Sequence, residues 1–307
     1  MTVALYSHPS CLEHDPGPGH PESPARLAAV LEALADPRFA ALPRLQAPQA
    51  TREQIARVHA RELIDSVIDD PPRTGWRRLD PDTVMSPASA DAALRAAGAV
   101  CAAVDAVVGG AHRRAFCAVR PPGHHATHDT AMGFCLFNSV AVGAAHAIAV
   151  HGLERVAIVD FDVHHGNGTQ DIFWSDPRVL YASSHQSPLY PGTGARSETG
   201  AGNIVNAPLQ PGAGSAEFRA AYESIVMPAL DRFEPELVII SAGFDAHRLD
   251  PLANLALEAD DYAWITSHLV ELAERHAQGR VVSSLEGGYS LTALRESTAA
   301  HAQALMR

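Results

Sequence analysis

Apolar residues recur along this chain at two different periods. Short continuous runs at 3–6, 116–119, 156–159, 179–183, 204–207, 237–240 and 281–285 have the length of buried strands and are too short for helices. Between them lie longer stretches with helical spacing. In 24–34, Leu27, Val30, Leu31 and Leu34 fall on one face, with Ser23 at the N-cap and Pro24 at the first helical position. The segments 89–108 and 138–150 are Ala-rich helices, 217–233 and 260–276 are further helices, and 51–56 and 62–68 are two short ones. Residues 8–20 and 71–87 read as loops, rich in Pro, Gly and Asp. The alternation of strand and helix predicts an α/β fold with a mostly parallel sheet covered on both faces. Neither a linker-like stretch nor an internal repeat divides the chain, so 1–307 is expected to be one domain.

The pattern breaks at one place in an informative way. After the apolar run 156–159, Asp160, Asp162 and His164 alternate with Phe161 and Val163, and a strand of period two would put all three polar groups on one side. Carboxylates and an imidazole on a buried face are costly unless a cation compensates them, and oxygen and imidazole nitrogen both suit a divalent ion such as zinc. The plainer alternative is a solvated strand end running into a loop at Gly166-Asn167-Gly168. Other strands carry comparable ends. Residues 116–119 lead into Arg120-Pro121-Pro122-Gly123-His124-His125, a rigid turn delivering two adjacent imidazoles, although a His at such a place is often structural. Residues 237–240 lead into Ser241-Ala242-Gly243-Phe244-Asp245, and 281–285 into Glu286-Gly287-Gly288-Tyr289, read as the opening of the last helix. The C-terminal ends of parallel strands are where open α/β sheets place their sites.

Composition narrows the class of function. The formal charge of −12 argues against nucleic acid as a partner. The four cysteines, Cys11, Cys101, Cys117 and Cys135, show no zinc-ribbon or redox spacing. The first residues lack the regions of a signal peptide, and no apolar run has membrane-spanning length, so a reduced, cytoplasmic protein with no membrane partner is expected.

Taken together, two carboxylates and one His leave a zinc position open for water, a neighbouring His is available as a proton acceptor, and a Tyr hydroxyl as a donor to an oxyanion. That set suits amide hydrolysis. Arg-Pro-Pro-Gly-His-His, Asp-x-Asp-x-His-His-Gly-Asn-Gly-Thr, Pro-Gly-Thr-Gly, Ala-Gly-Phe-Asp and Glu-Gly-Gly-Tyr also occur in the order found in the zinc-dependent histone deacetylase and acetylpolyamine amidohydrolase family, which the chain resembles from His20-Pro21-Glu22 to Tyr289.

The resemblance implies the arginase/deacetylase fold, with about eight mostly parallel strands flanked by helices. It implies zinc on Asp162, His164 and Asp245, His125 as general base, His124 as electrostatic support, Asp160 behind His124 and Asn167 behind His125. Asn167 and Glu286-Gly-Gly-Tyr place the chain nearer class II and bacterial-type members, and Tyr289 matches the carbonyl-polarising Tyr. Two structural potassium ions are implied, one at Asp160, Asp162, His164, Ser183 and Ser184, the other at backbone groups of Phe173, Asp176, Val179 and Asn203. Gly133, Phe134 and Tyr190 correspond to the acyl tunnel, Asp82 to a rim residue, Leu252 to a gatekeeper and Arg26 to an internal channel.

The implied activity is a zinc-dependent deacetylase in which a metal-activated water removes an acetyl or related acyl group from an amine, foremost an acylated lysine. An acetylpolyamine deacetylase is the nearest rival, and the apolar Leu252 favours acyl-lysine, although Asp80 and Asp82 could supply charge instead. A binuclear manganese ureohydrolase would need further carboxylate ligands. A non-catalytic acyl-amine binder would be expected to lack Tyr289 or one His of the pair. A homo-oligomer is left open.

Overall fold

A computed structural model describes residues 3–307. Among the described residues ten strands occur in the order β1 (Val3–Ser7), β2 (Arg44–Gln46), β3 (Arg77–Arg78), β4 (Val84–Met85), β5 (Arg114–Cys117), β6 (Val156–Asp160), β7 (Val179–Gln186), β8 (Ile204–Leu209), β9 (Leu237–Ala242) and β10 (Val281–Leu285). Eight of them form one sheet, ordered β2-β1-β5-β10-β9-β6-β7-β8, and every pairing in it is parallel. The remaining two, β3 and β4, make a small antiparallel pair.

Strands β5, β6, β9 and β10 are buried at every position, as expected when helices cover both faces. The helices Pro24–Leu34, Ala259–His276 and Leu291–Leu305 pack together in one layer, and Ser89–Val108 packs on Ser139–His151 in another. Among the described residues no helix is long and apolar enough to cross a membrane.

The sheet order decides where a site can form. The chain leaves β6 towards β7 on one side, whereas it leaves β9 towards β10 on the other. Two neighbouring strands with connections diverging in this way open a crevice at their carboxyl ends. The Asp160–His164 stretch and Asp245 both lie there.

Several boundaries differ from the sequence expectation, each for a physical reason. The strand expected to run through His164 stops at Asp160, because Asp160 Oδ1 accepts the Asp162 N–H at 3.1 Å and Asp162 Oδ1 accepts the His164 N–H at 2.9 Å. These side chains bind the backbone two residues ahead and turn it out of the ladder. The expected helix 217–233 is three contiguous pieces, with a π-helical turn at Tyr222–Val226. Pro228 lacks an N–H and crowds the carbonyl four residues back, which a wider turn relieves. Glu286–Tyr289 is a loop, and the last helix starts at Leu291 with the Ser290 hydroxyl accepting the Ala293 N–H. The two expected loops contain the short helix Ser10–Glu13 and the β3–β4 pair. β2, exposed at all three positions, carries no apolar pattern and was not expected.

Buried histidines tie the layers together. His301 lies between Thr266 Oγ1 at 2.7 Å and Ser283 Oγ at 2.8 Å, joining the helices Ala259–His276 and Leu291–Leu305 to β10, and is ringed by Phe116, Phe161 and Phe244. Burial holds it down at about 3, and His59, bonded to Thr127 O and the Asn138 N–H, at about 4. These rings fold as neutral groups. Their contribution is therefore complete above the unfolded value near 6.5 and is lost as pH falls below it towards 3–4. Urea unfolding should show a loss of about 2 kcal/mol per such histidine between about pH 7 and about pH 5. His301→Gln should shrink that pH dependence, and an unchanged dependence would remove His301 from the account.

Candidate active site

Asp162 and His164 follow β6, and Asp245 follows β9, its neighbour. His164 Nδ1 is 3.1 Å from Asp162 Oδ1 and 3.1 Å from Asp245 Oδ2, and the three groups could hold one metal ion. The other oxygen of each carboxylate is held by backbone: Asp162 Oδ2 accepts from Gly287 N at 2.8 Å, and Asp245 Oδ1 from Val163 N at 2.8 Å. Two glycines make room for this. A Cβ at Gly243 would lie 2.1 Å from Asp162 Oδ2, and one at Gly287 would lie 2.2 Å from Asp245 Oδ2.

The electrostatics call for a cation. Burial, then the Asp162 charge, push the Asp245 carboxyl up to about 7. Burial alone would depress His164, yet the two carboxylates raise it to about 10. Two oxygens and one imidazole nitrogen, each oriented by a further hydrogen bond or its neighbours, fit a zinc ion with one position left open.

Asp105, His146 and His151 form a second group of ligand type, nearer the surface. There Arg57 donates to His146 Nδ1 at 2.8 Å, so His146 keeps its proton on Nε2 and donates it to Asp105 at 2.7 Å. A cationic Arg57 on that ring works against a metal, and this cluster reads as a helix-to-helix polar link.

The tandem histidines flank the buried ligand cluster. His125 Nδ1 is 2.8 Å from Asn167 Oδ1, an atom that can only accept, so Nδ1 carries the proton and Nε2 keeps a free lone pair. Burial, then the neighbouring His124 and His164, hold His125 well below its ordinary value. His124 Nδ1 meets Asp160 Oδ2 at 2.9 Å, and its Nε2 is 3.8 Å from Asp162. Burial opposes charge on His124, but Asp162 and Asp160 outweigh it and raise the ring to about 10. The pair thus divides into a neutral ring with an available nitrogen and a ring that carries positive charge.

Tyr289 packs on Phe134 with centroids 5.8 Å apart and lies under the Arg26 guanidinium, 4.7 Å from the ring centroid. Burial holds its hydroxyl well above the ordinary value against the pull of Arg26, which keeps it a donor at neutral pH. Arg26 in turn donates to Gly288 O at 2.6 Å and to Glu22 at 3.0 Å. Glu22 is fully buried and also takes both Arg120 and His14. Tyr190 stands edge-on to His125 at 5.1 Å. At the mouth, Asp82 Oδ1 accepts from Gly133 N at 3.1 Å, and His20 packs against Phe134 at 4.8 Å. Leu252 donates its N–H to Asp250, whose other oxygen accepts the Tyr289 N–H at 2.7 Å.

The residues expected at the first potassium lie together: Asp160 pairs with Ser183 across β6 and β7, with Ser184, Asp162 and His164 just beyond. At the second, Asn203 meets the Phe173, Asp176 and Val179 carbonyls with its side chain.

Sequence reasoning missed three supports. Glu286 Oε2 accepts from Gly123 N at 2.6 Å and His124 N at 3.2 Å, and burial, partly offset by His124, raises this carboxyl to about 7. Asp250 holds the Tyr289 turn, and the Tyr181 hydroxyl donates to Asp160 Oδ2 at 3.0 Å. An ionisable residue directly after a buried strand was the visible signal for Glu286. Tyr181, inside an apolar run, gave none.

The histone deacetylase domain family model matches residues 20–305. The chain is 42% identical to the histone deacetylase-like amidohydrolase of Pseudomonas aeruginosa, over 89% of this chain and 73% of that protein. It is 39% identical to a probable deacetylase of Archaeoglobus fulgidus, over 95% and 82% of the two chains. It is 38% identical to histone deacetylase 14, chloroplastic, of Arabidopsis thaliana, over 98% and 76%. The crystal structure of the HDA15 HD domain superposes with a TM-score of 0.94 at 37% identity, covering 100% of this chain and 88% of that one.

The glycine cradle gives a direct test of the ligand cluster. Gly287→Ala should force the two carboxylates apart and weaken zinc binding by about 10–100-fold, the scale for disturbing groups that orient metal ligands. Competition against a fluorescent zinc chelator measures it, and an unchanged affinity would contradict the geometry.

Proposed function

The chain belongs to the histone deacetylase domain family, and from that premise we propose that it is a zinc-dependent hydrolase removing acetyl or related acyl groups from amines, foremost from acylated lysine side chains. The observation that carries this reading is the His125 ring: its Nδ1–H is committed to Asn167, so Nε2 is left free beside the Asp162, His164 and Asp245 cluster. Asp162, His164 and Asp245 would hold the zinc. When bound, that ion supplies a Lewis acid for the acyl oxygen and lowers the pKa of a water.

His125 accepts the proton of the attacking water at Nε2 and returns it to the leaving amine, the double duty of a general base and acid. His124, charged against Asp160 and Asp162, stabilises the negative charge that builds up. The Tyr289 hydroxyl donates to the acyl oxygen as it becomes an oxyanion. Phe134 and Tyr190 offer apolar walls for the acyl-lysine stem, Gly133 shapes that wall, and Asp82 stands at the rim to receive the substrate backbone. Asp160, Asp162, His164, Ser183 and Ser184 suit a potassium ion through their oxygen atoms.

Leu252 favours acyl-lysine over acetylpolyamine. Its N–H rests on the Asp250 turn that holds Tyr289, and its apolar side chain would offer a distal ammonium no counter-charge. The kcat/KM on an acetyl-lysine peptide should exceed that on acetylputrescine and acetylspermidine by at least about tenfold, equivalent to about 1.4 kcal/mol. The reverse order would assign the polyamine reading. Tyr289→Phe deletes one donor and keeps the ring. It should lower kcat by about 10²–10³-fold with little change in KM or zinc content. Near-parental turnover with zinc retained would exclude Tyr289 from the chemistry.

A further inference from the structure

The carbonyl oxygens of Phe173, Asp176 and Val179 converge on one point, and that point is filled by an atom of this chain. Asn203 Nδ2 lies 2.8 Å from Phe173 O, 3.0 Å from Asp176 O and 2.9 Å from Val179 O. Its Oδ1 accepts the Ala201 N–H at 3.0 Å. The orientation is thereby fixed by chemistry. Turned over, the amide would aim its oxygen at three carbonyl oxygens and its NH2 at an N–H. The backbone carbonyl of Asn203 is committed elsewhere, accepting the Tyr181 N–H at 2.9 Å between β8 and β7. The residue is 3% exposed, so water does not compete.

Family resemblance puts a potassium ion among these same carbonyls, with the Asn203 backbone as a further ligand. The geometry does not fit that ion, because the amide nitrogen already stands at hydrogen-bonding distance from all three oxygens. We infer that the Asn203 side-chain amide replaces this cation, so that a fixed N–H dipole does the work of an exchangeable positive charge. Two protons serve three acceptors, which requires one of them to be shared.

The replacement bears on the active site through the backbone. Phe173 caps the C-terminus of the helix Asn167–Ile172, and Val179 begins β7. Asn167, at the other end of that short helix, is the residue that holds His125 Nδ1. Asn203 thus anchors the support of the proposed base without an ion. The inference does not depend on the proposed reaction and would hold equally for an inactive protein.

Rubidium serves as the probe. In an anomalous difference map from wild-type crystals grown in rubidium chloride, no ion peak is expected within the Phe173, Asp176 and Val179 carbonyls, and the Asn203 amide remains in place. Asn203→Ala removes the amide and leaves the three carbonyls facing a hole. Elemental analysis should then find one more rubidium per chain than in wild type. The unfolding midpoint of the variant should also rise in potassium chloride over choline chloride by at least about 3 °C more than that of the wild type. Because both readouts are differences, an ion at the first potassium position cancels. An ion peak among the three carbonyls of the wild type would overturn the inference, even if the variant failed to fold. So would a folded variant that takes up no additional ion.

Discussion

Two carboxylates facing each other in the interior, Asp162 and Asp245, set the terms for the rest of this structure. Neither is accessible to water; burial, then the Asp162 charge, push the Asp245 carboxyl up to about 7, whereas burial at Asp162 is outweighed by His124 and His164, which hold it below its ordinary value. A fold keeps such a pair only if something compensates the charge. Here Asp245 accepts one backbone N–H and Asp162 two, each turns one oxygen towards the His164 ring, and two glycines stand where any side chain would drive the oxygens apart. The strand order makes the meeting possible. β6 and β9 are neighbours whose chains depart in opposite directions, so their ends can bend towards each other over an open crevice.

The machinery around this pair is held mainly by acidic side chains and amides that bind loop backbone. Glu286 fixes the N–H groups of Gly123 and His124, Asp250 fixes that of Tyr289, and Asp160 and Asp162 turn their own chain. Asn203 plays the same part from the opposite polarity, offering N–H to carbonyls. Loops beyond strand ends have no ladder partners, so their backbone groups need side chains to satisfy them. These contacts fix the backbone beside His125 and at Tyr289, the two groups to which the proposed reaction assigns the proton and the oxyanion.

Much of this was legible in the sequence, and what was not has a common cause. The strand runs and the long helices were readable because burial on both faces leaves uninterrupted apolar residues, and 281–285 and 89–108 agree with the structure to the residue. Strand ends carrying His, Asp and Tyr marked the site for the same reason, since polar groups there stand out against apolar runs. The path after Asp160 was misread as strand because alternation is a property of side-chain type, whereas the turn is made by carboxylates capturing N–H groups two residues on. The π-helical turn before Pro228 hides inside a helical pattern in the same way. Glu286 and Asp250 act across 163 and 39 residues of sequence, and no local pattern reports a partner that distant. Asn203 shows the sharpest gap: the resemblance implied a backbone ligand there, and nothing in the sequence indicated that its side-chain amide donates to the three carbonyls.

The central claim, that the Asp162, His164 and Asp245 cluster binds the ion on which amide hydrolysis depends, is tested most directly by titration. The protein is stripped of metal with a chelator, zinc is returned in measured amounts, and turnover of an acetyl-lysine peptide is followed at each step. The account predicts no turnover in the stripped protein and a linear rise that ends at one zinc per chain. Full turnover in the metal-free protein, or an activity that appears only after a second zinc is bound, would contradict it.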